Sequence, residues 1–287
     1  MQSLFKTSQG KKEILGLYDQ KLKELAIEFE YLNIKTSFGE TNIITIGAIS
    51  SPPIIIIHGS NGCAPIALET YPNLSKHFRV FAIDVLAQPN KSGETRLDMK
   101  DDSYGQWMNE VIDALKVENV ILVGFSFGGL VVLKTLEFNE RVIKEVYLSA
   151  PAYIVNGNPL KALFKIFIPM KRYIKTRKLR YVEKFLAEVF SERDEFAIQY
   201  LSKVFLYFDM DFTSIPVIGA RKANTIQTPI TLFAAKNDIL FPGKKMIKRA
   251  KRIFPGLQSV KLLENSKHVL SKKQNELIEK IIIENNT

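Results

Sequence analysis

Leu122-Val123-Gly124-Phe125-Ser126-Phe127-Gly128-Gly129 closes one apolar run, Asn119 to Val123, and opens an amphipathic one, Gly128 to Glu137. A serine at an ordinary strand end needs no glycine two positions away on either side. Gly124 to Gly128 fits G-x-S-x-G between a strand and a helix, the setting in which that pattern forms a nucleophile elbow. So tight a turn strains the serine backbone, and side chains two residues away would collide. Glycine at both places removes the collision, and Gly129 lets the following helix approach the sheet. The turn thrusts the Ser126 hydroxyl out above the sheet and leaves the Phe127 amide at a helix amino terminus, where negative charge is favoured.

Working outward, short apolar runs alternate with helical patterns. Lys11 to Leu25 reads as a helix, and Glu28 to Thr36 with Asn42 to Ile46 as a hairpin turned at Phe38-Gly39-Glu40. Ile54 to Ile57, Val80 to Ile83, Asn119 to Val123 and Val142 to Leu148 read as buried strands. Tyr104 to Leu115 is a helix between two of them. Continuous apolar strands separated by helices predict a mostly parallel sheet covered on both faces. From Ala152 to about Lys222 the pattern is helical, rich in Lys, Arg, Phe and Tyr; strands return with Pro229 to Ala235 and Ser259 to Leu263, followed by helices near Lys244 to Ile253 and Gln274 to Ile283. A helical stretch interrupting one sheet after its sixth strand reads as a lid, so the expected division is a core of 1–151 and 223–287 with a lid of 152–222.

A serine hydroxyl needs a base to take its proton. Of His58, His77 and His268, only His268 follows Ser126, the order that this elbow implies, and it stands just beyond the strand Ser259 to Leu263. The acid that orients the imidazole is best placed at Asp238, directly after the strand Pro229 to Ala235; Asp194, Asp209 and Asp211 fall in the expected lid. Asn-Asp after a strand is also common turn chemistry, so Asp238 has a plain structural reading as well. The loop His58-Gly59-Ser60-Asn61-Gly62 offers the Ser60 amide as a second oxyanion donor beside that of Phe127. His58 precedes the serine and reads as part of the turn, and Cys63 as a small apolar filler. Phe125, Phe127, Trp107, Phe164 and Phe167 are candidates to line an apolar substrate pocket, against the ordinary reading of helical aromatics as core.

The chain of 287 residues carries a net charge of +10. Its lysines are spread along the chain without interleaved aromatics, which does not read as a nucleic-acid surface. Three dispersed histidines and one cysteine give no metal-ligand spacing. No apolar run approaches the roughly 18 residues of a membrane span, and MQSLFKTSQGKK lacks a signal-peptide core. With a single cysteine, the expectation is a cytoplasmic protein. Lys161 to Lys184 mixes eight or more cations with Leu163, Phe164, Ile166 and Phe167. Such a helix suits an anionic membrane surface, but the ordinary reading, taken here, is a solvated basic face whose apolar side packs on the core.

Ile-His-Gly-Ser-Asn-Gly, Gly-Phe-Ser-Phe-Gly-Gly, Asn-Asp-Ile and Lys-His-Val, in that order and between those strands, resemble the α/β-hydrolase superfamily from about Glu28 onward. Ala82-Ile83-Asp84 through Asn90-Lys91-Ser92 is similar to small bacterial carboxylesterases that hydrolyse arylpropionate esters. The resemblance implies an α/β-hydrolase fold with Ser126 as nucleophile, Asp238 as acid, His268 as base, oxyanion amides on Ser60 and Phe127, and no cofactor. Many relatives carry glycine before the histidine, where this chain has Lys267, and a glycine-rich loop where it has Val85 to Pro89. Serine at the elbow argues against the carboxylate attack of epoxide hydrolases and haloalkane dehalogenases. The expected reaction is hydrolysis of a small, mainly apolar carboxylic ester through an acyl-serine. Acyl transfer, thioester, perhydrolase or carbon–carbon bond chemistry on the same site stays open, as does a non-catalytic ligand-binding protein.

Overall fold

Four isoleucines in a row suit a strand buried on both faces, and the computed structural model, which describes residues 3–287, shows why. In β3 (Pro53–Ile57), Ile54 and Ile56 join one hydrophobic cluster while Ile55 and Ile57 join another across the sheet. The same alternation holds in β5 (Val120–Phe125), where Ile121 and Val123 face one way and Val120 and Leu122 the other. Period-2 side-chain geometry turns a continuous apolar run into two half-cores.

Eight strands form one sheet in the order β1-β2-β4-β3-β5-β6-β7-β8. The other strands are β1 (Glu30–Thr36), β2 (Gly39–Ile46), β4 (Arg79–Ile83), β6 (Ile143–Ser149), β7 (Ile230–Ala235) and β8 (Leu257–Leu263). From β4 across to β8 every pairing is parallel; only β2 runs against its neighbours β1 and β4. On one face lie α3 (Ser103–Leu115), α4 (Phe127–Phe138) and α10 (Gly243–Ile253). On the other lie α1 (Ser8–Glu24), α2 (Ala64–Thr70) and α11 (Lys272–Glu284).

Between β6 and β7 the chain forms α5 (Pro159–Ala162), a π-helical turn (Leu163–Phe167), α6 (Ile168–Thr176), α7 (Arg180–Val189), α8 (Glu195–Tyr207) and the short α9 (Ala220–Ala223). Their inward residues, among them Met170, Tyr173, Leu186, Tyr200 and Phe205, extend the cluster that α1, α2 and α11 cover. Two features differ from the sequence reading. The helical pattern stops at Tyr207, and residues 209–219 run without helix or strand, in keeping with Pro216. Helix α2 is too short to show a 3.6-residue period; Pro65 in its first turn is the local signal for its start.

Trp107 does not face a pocket. It is fully buried on α3 beneath the sheet, with its indole N–H donating to Thr41 Oγ1 at 2.8 Å. The apolar stripe of α3 had to choose one sheet face, and an aromatic on that stripe goes with it. Among the described residues no helix is long and apolar enough to cross a membrane.

Candidate active site

Ser126 sits between β5 and α4 with φ 53° and ψ −114°, outside the regions that L-residues ordinarily populate. Such a backbone costs about 1–3 kcal/mol and persists only where the surroundings enforce it. Here the Ser126 amide donates to Ser149 O at 3.1 Å, and its carbonyl accepts from Gly129 and Ala152, each at 2.9 Å. The flanking glycines are required by contact. A Cβ on Gly124 would stand 2.6 Å from Gly128 O, and one on Gly128 2.2 Å from Ile57 O. Gly129 meets Pro151 in the same way, at 2.4 Å.

Three residues remote in sequence converge at the carboxyl rim of the sheet. His268 Nε2 lies 2.8 Å from Ser126 Oγ, and His268 Nδ1 lies 2.7 Å from Asp238 Oδ2. All three are buried. Asp238 fills both of its sequence-level readings at once. Its Oδ1 accepts from the Leu240 and Phe241 amides at 2.7 and 3.0 Å, making the turn, while Oδ2 meets the imidazole. The turn bonds fix the carboxylate, so the carboxylate fixes the ring. Phe125 and Phe241 flank that ring, with centroids at 5.2 and 5.3 Å.

The loop that carries His268 is held by the segment between α7 and α8. Lys267 N–H donates to Ser191 Oγ at 2.9 Å, and Ser191 N–H to Val269 O at 2.9 Å. The Lys267 ammonium reaches out to Ala187 O. Lysine is accommodated before the histidine because the positive backbone angle of this loop falls on Asn265, φ 52°, and not on residue 267.

The loop after β3 lies against the elbow: a Cβ on Gly59 would come within 3.2 Å of Ser126 Cβ. Among the described residues neither the Ser60 nor the Phe127 amide has a protein acceptor, and both residues line the same cavity. Sequence reasoning missed what holds this loop. Asn61, at φ 57°, donates its amide to Gln88 Oε1 at 2.7 Å. Asp84 accepts from the Ala64 amide at 2.7 Å, Asn42 Nδ2 at 2.8 Å and the Tyr18 hydroxyl at 3.0 Å. A lone aspartate closing an apolar strand was the available signal.

His58 is structural, as its position before the serine suggested. Its Nε2 accepts from the Val85 amide at 3.0 Å and its Nδ1–H donates to Gly59 O at 2.7 Å, which fixes a neutral tautomer. Burial pushes its pKa down to about 4, although the Gly59 carbonyl favours the cation. Burial likewise pushes Asp84 up to about 6, against the pull of its donors.

The two groups give opposite pH dependences. A depressed histidine stabilises the fold above its ordinary value of 6.5, and that stability is lost as pH falls toward about 4. A raised carboxyl stabilises the fold below its ordinary 3.8, and that stability is lost as pH rises through about 6. Between pH 7 and pH 4 each contribution changes by roughly 2–3 kcal/mol with opposite sign. His58→Gln removes one arm, so its stability deficit against the wild type should shrink by about that amount on going from pH 7 to pH 4 in urea unfolding. A deficit independent of pH would show that His58 is not held neutral.

A cavity of about 300 Å³ lies beside the site, lined by Phe127, which follows Ser126 in the chain, and by Phe241, which packs on the His268 ring, and not by the three residues themselves. Ser60, Phe127 and Phe241 form its floor side, with Met99, Tyr104, Ile239 and Leu240. Asn156–Pro159, Ala162, Phe167 and residues 211–215, all from the stretch between β6 and β7, complete its wall. Of the aromatics expected in a pocket, Phe127 and Phe167 line it. Phe125 instead packs under the imidazole, Trp107 lies in the core, and Phe164 points away, 63% exposed. Among the described residues no cluster of histidine, cysteine, aspartate or glutamate could hold a metal ion. Cys63 is buried and unpaired, its thiol pKa pushed up by burial.

A family model described as the alpha/beta hydrolase fold matches residues 52–208, more than half of the chain. The chain belongs to the α/β-hydrolase family. This hydrolase is 27% identical over 286 residues to carboxylesterase YbfK of Bacillus subtilis, a match covering 93% of this chain and 90% of that protein. Its fold is similar to that of naproxen esterase (carboxylesterase NP) from Bacillus subtilis, with a TM-score of 0.84 at 19% identity over 98% of this chain and 99% of that one. Carboxylesterase CesB (YbfK) from the same organism gives 0.83 at 21% identity, over 96% and 97% of the two chains.

Proposed function

We propose that this hydrolase cleaves carboxylic esters of small, mainly apolar compounds through an acyl-serine. The observation that carries the reading is the continuous contact Ser126–His268–Asp238, set beside a cavity that Ser60, Phe127 and Phe241 help to line. His268 takes the Ser126 proton as Oγ attacks the ester carbonyl carbon, and Asp238 stabilises the imidazolium that results. The carbonyl oxygen, now negative, is held by the Ser60 and Phe127 amides, the latter at the amino end of α4. Collapse expels the alcohol, which receives the proton from His268. Water, giving its proton to His268, then attacks the acyl carbon, and collapse breaks the bond to Ser126 Oγ, which takes the proton back as the acid is released.

Residues 152–222 act as the lid, since they supply most of the outer cavity wall. A cavity of about 300 Å³ lies at the small end of ligand sites. Phe127, Phe167, Phe212, Ile215 and Leu240 favour an apolar acyl or alcohol group, while Arg96 and Asp211 sit among them with opposite charges. A single buried, unpaired Cys63 suits the reducing cytoplasm.

With p-nitrophenyl esters of graded acyl length, kcat/KM should peak near about four to eight carbons and fall at least about 10-fold for a palmitoyl chain, which outgrows such a cavity. Absence of turnover across the whole panel would contradict ester hydrolysis.

A further inference from the structure

Between Pro159 and Val182 the chain carries eight lysines and arginines and no acid, so eight of its ten net positive charges come from this one stretch. Lys161, Lys165, Lys171, Arg172, Lys175, Arg177, Lys178 and Arg180 are all exposed. Among the described residues only Lys165 has a carboxylate partner, Glu188 at 2.8 Å. Elsewhere on the molecule exposed lysines and arginines, such as Lys11, Arg193, Lys222 and Lys236, have found acidic neighbours.

The apolar residues of the same stretch do not all face inward, which overturns the packing that the sequence suggested. Ile166, Met170 and Tyr173 are buried, but Leu160 and Phe164 are each 63% exposed and Leu163 is exposed beside them. At spacing i, i+3, i+4 these three share one helix face. Phe167, one turn further on, packs edge-on against exposed Phe212 at 5.8 Å, and both line the cavity. An apolar patch, in a stretch that carries seven unpaired cations, therefore borders the cavity mouth.

We propose that this face docks on an anionic lipid bilayer. Leu160, Leu163 and Phe164 enter the interface while the surrounding lysines and arginines meet lipid phosphates and carboxylates. A basic helix with exposed large apolar residues is the composition that lies in the interfacial plane, and charge and apolar insertion act together there. A second copy of the chain is disfavoured as occupant, because it would set seven unpaired cations against seven. A nucleic acid would satisfy the cations but has no use for two leucines, which offer no stacking face. The inference is independent of the hydrolytic chemistry, since docking does not require Ser126.

Co-sedimentation of the full chain with vesicles tests it. Vesicles of phosphatidylcholine with about one third phosphatidylserine should pellet the protein at low salt, pure phosphatidylcholine vesicles far less, and about 0.5 M salt should release most of it. The charge reversal K171E/R172E/K175E should weaken binding at least about 100-fold while leaving turnover of a soluble short-chain ester unchanged. Replacing the apolar residues, L160S/F164S, should weaken it about 10-fold with all charges in place. Matching far-UV circular dichroism and melting temperature establish that both variants fold. No pelleting with anionic vesicles at low salt would overturn the proposal, as would a charge reversal that binds like the wild type. Undiminished binding by L160S/F164S, with equal affinity for a DNA duplex, would mark the face as a generic polyanion patch and overturn lipid docking too.

Discussion

Ser126→Ala is expected to lower kcat on a p-nitrophenyl ester by about 10⁴–10⁶ while KM changes little. The hydroxyl is the atom that forms the acyl bond, so its loss removes the covalent route altogether. What survives is the cavity and the two amides, which hold the ester and its developing oxyanion and leave a residual rate above that of water. His268→Ala should fall to a similar floor, because a hydroxyl without a base within 2.8 Å is a poor nucleophile. The double variant should be no slower than either single one, since residues that act as a unit do not add. Steady-state kinetics on the three variants reads this directly. Additive losses would mean that Ser126 and His268 act independently, and full activity in Ser126→Ala would remove the serine from the chemistry.

Gly128→Ala is expected to cost about 3 kcal/mol or more in folding stability, an unusual loss for one methyl group. The added carbon would sit 2.2 Å from Ile57 O and 2.8 Å from His58 O, and both obstacles are backbone. Rotamer change cannot relieve either contact, so β3 or the amino end of α4 must move, and overpacking of this kind is at the severe end of its range. The same displacement would shift Ser60 relative to Phe127, so the folded fraction should also lose activity. Gly16→Ala provides the contrast. It lies within α1 with no atom near the new methyl, and helix propensity alone should raise stability by about 0.5–1 kcal/mol. Urea unfolding of the two variants separates the contact argument from a general intolerance of glycine replacement. A Gly128→Ala protein as stable as the wild type would refute the close approach at the elbow.

The features legible in the sequence were those written in local chemistry. Four consecutive isoleucines mark a strand buried on both faces, because no half-exposed strand or amphipathic helix would carry them. The elbow is legible because its glycines answer contacts within a few residues and with the neighbouring strand. Asp238 and His268 could be singled out since each follows a strand, and a parallel sheet brings its carboxyl ends to one rim.

The cavity wall was not legible. Residues 211–215 belong to an extended stretch with no period to read, and their placement depends on packing between distant segments. Trp107 and Phe164 show the same limit from opposite sides. Periodicity tells that an aromatic belongs to a stripe, but not which side of the sheet that stripe covers, nor whether the stripe is covered at all. The supports of the oxyanion loop, Gln88 and Asp84, were hidden for a related reason: these partners lie 20 to 66 positions away, and no motif spacing encodes such pairings.

The claim on which the rest depends is that Ser126 is made reactive by His268. Exposure to a fluorophosphonate followed by intact-mass and peptide mass spectrometry tests it most directly, because an activated serine displaces the reagent's fluoride and is left phosphonylated. One adduct per chain, located on Ser126 and absent after His268→Ala, is the predicted result. No adduct on Ser126, or one that forms as fast without His268, would contradict it.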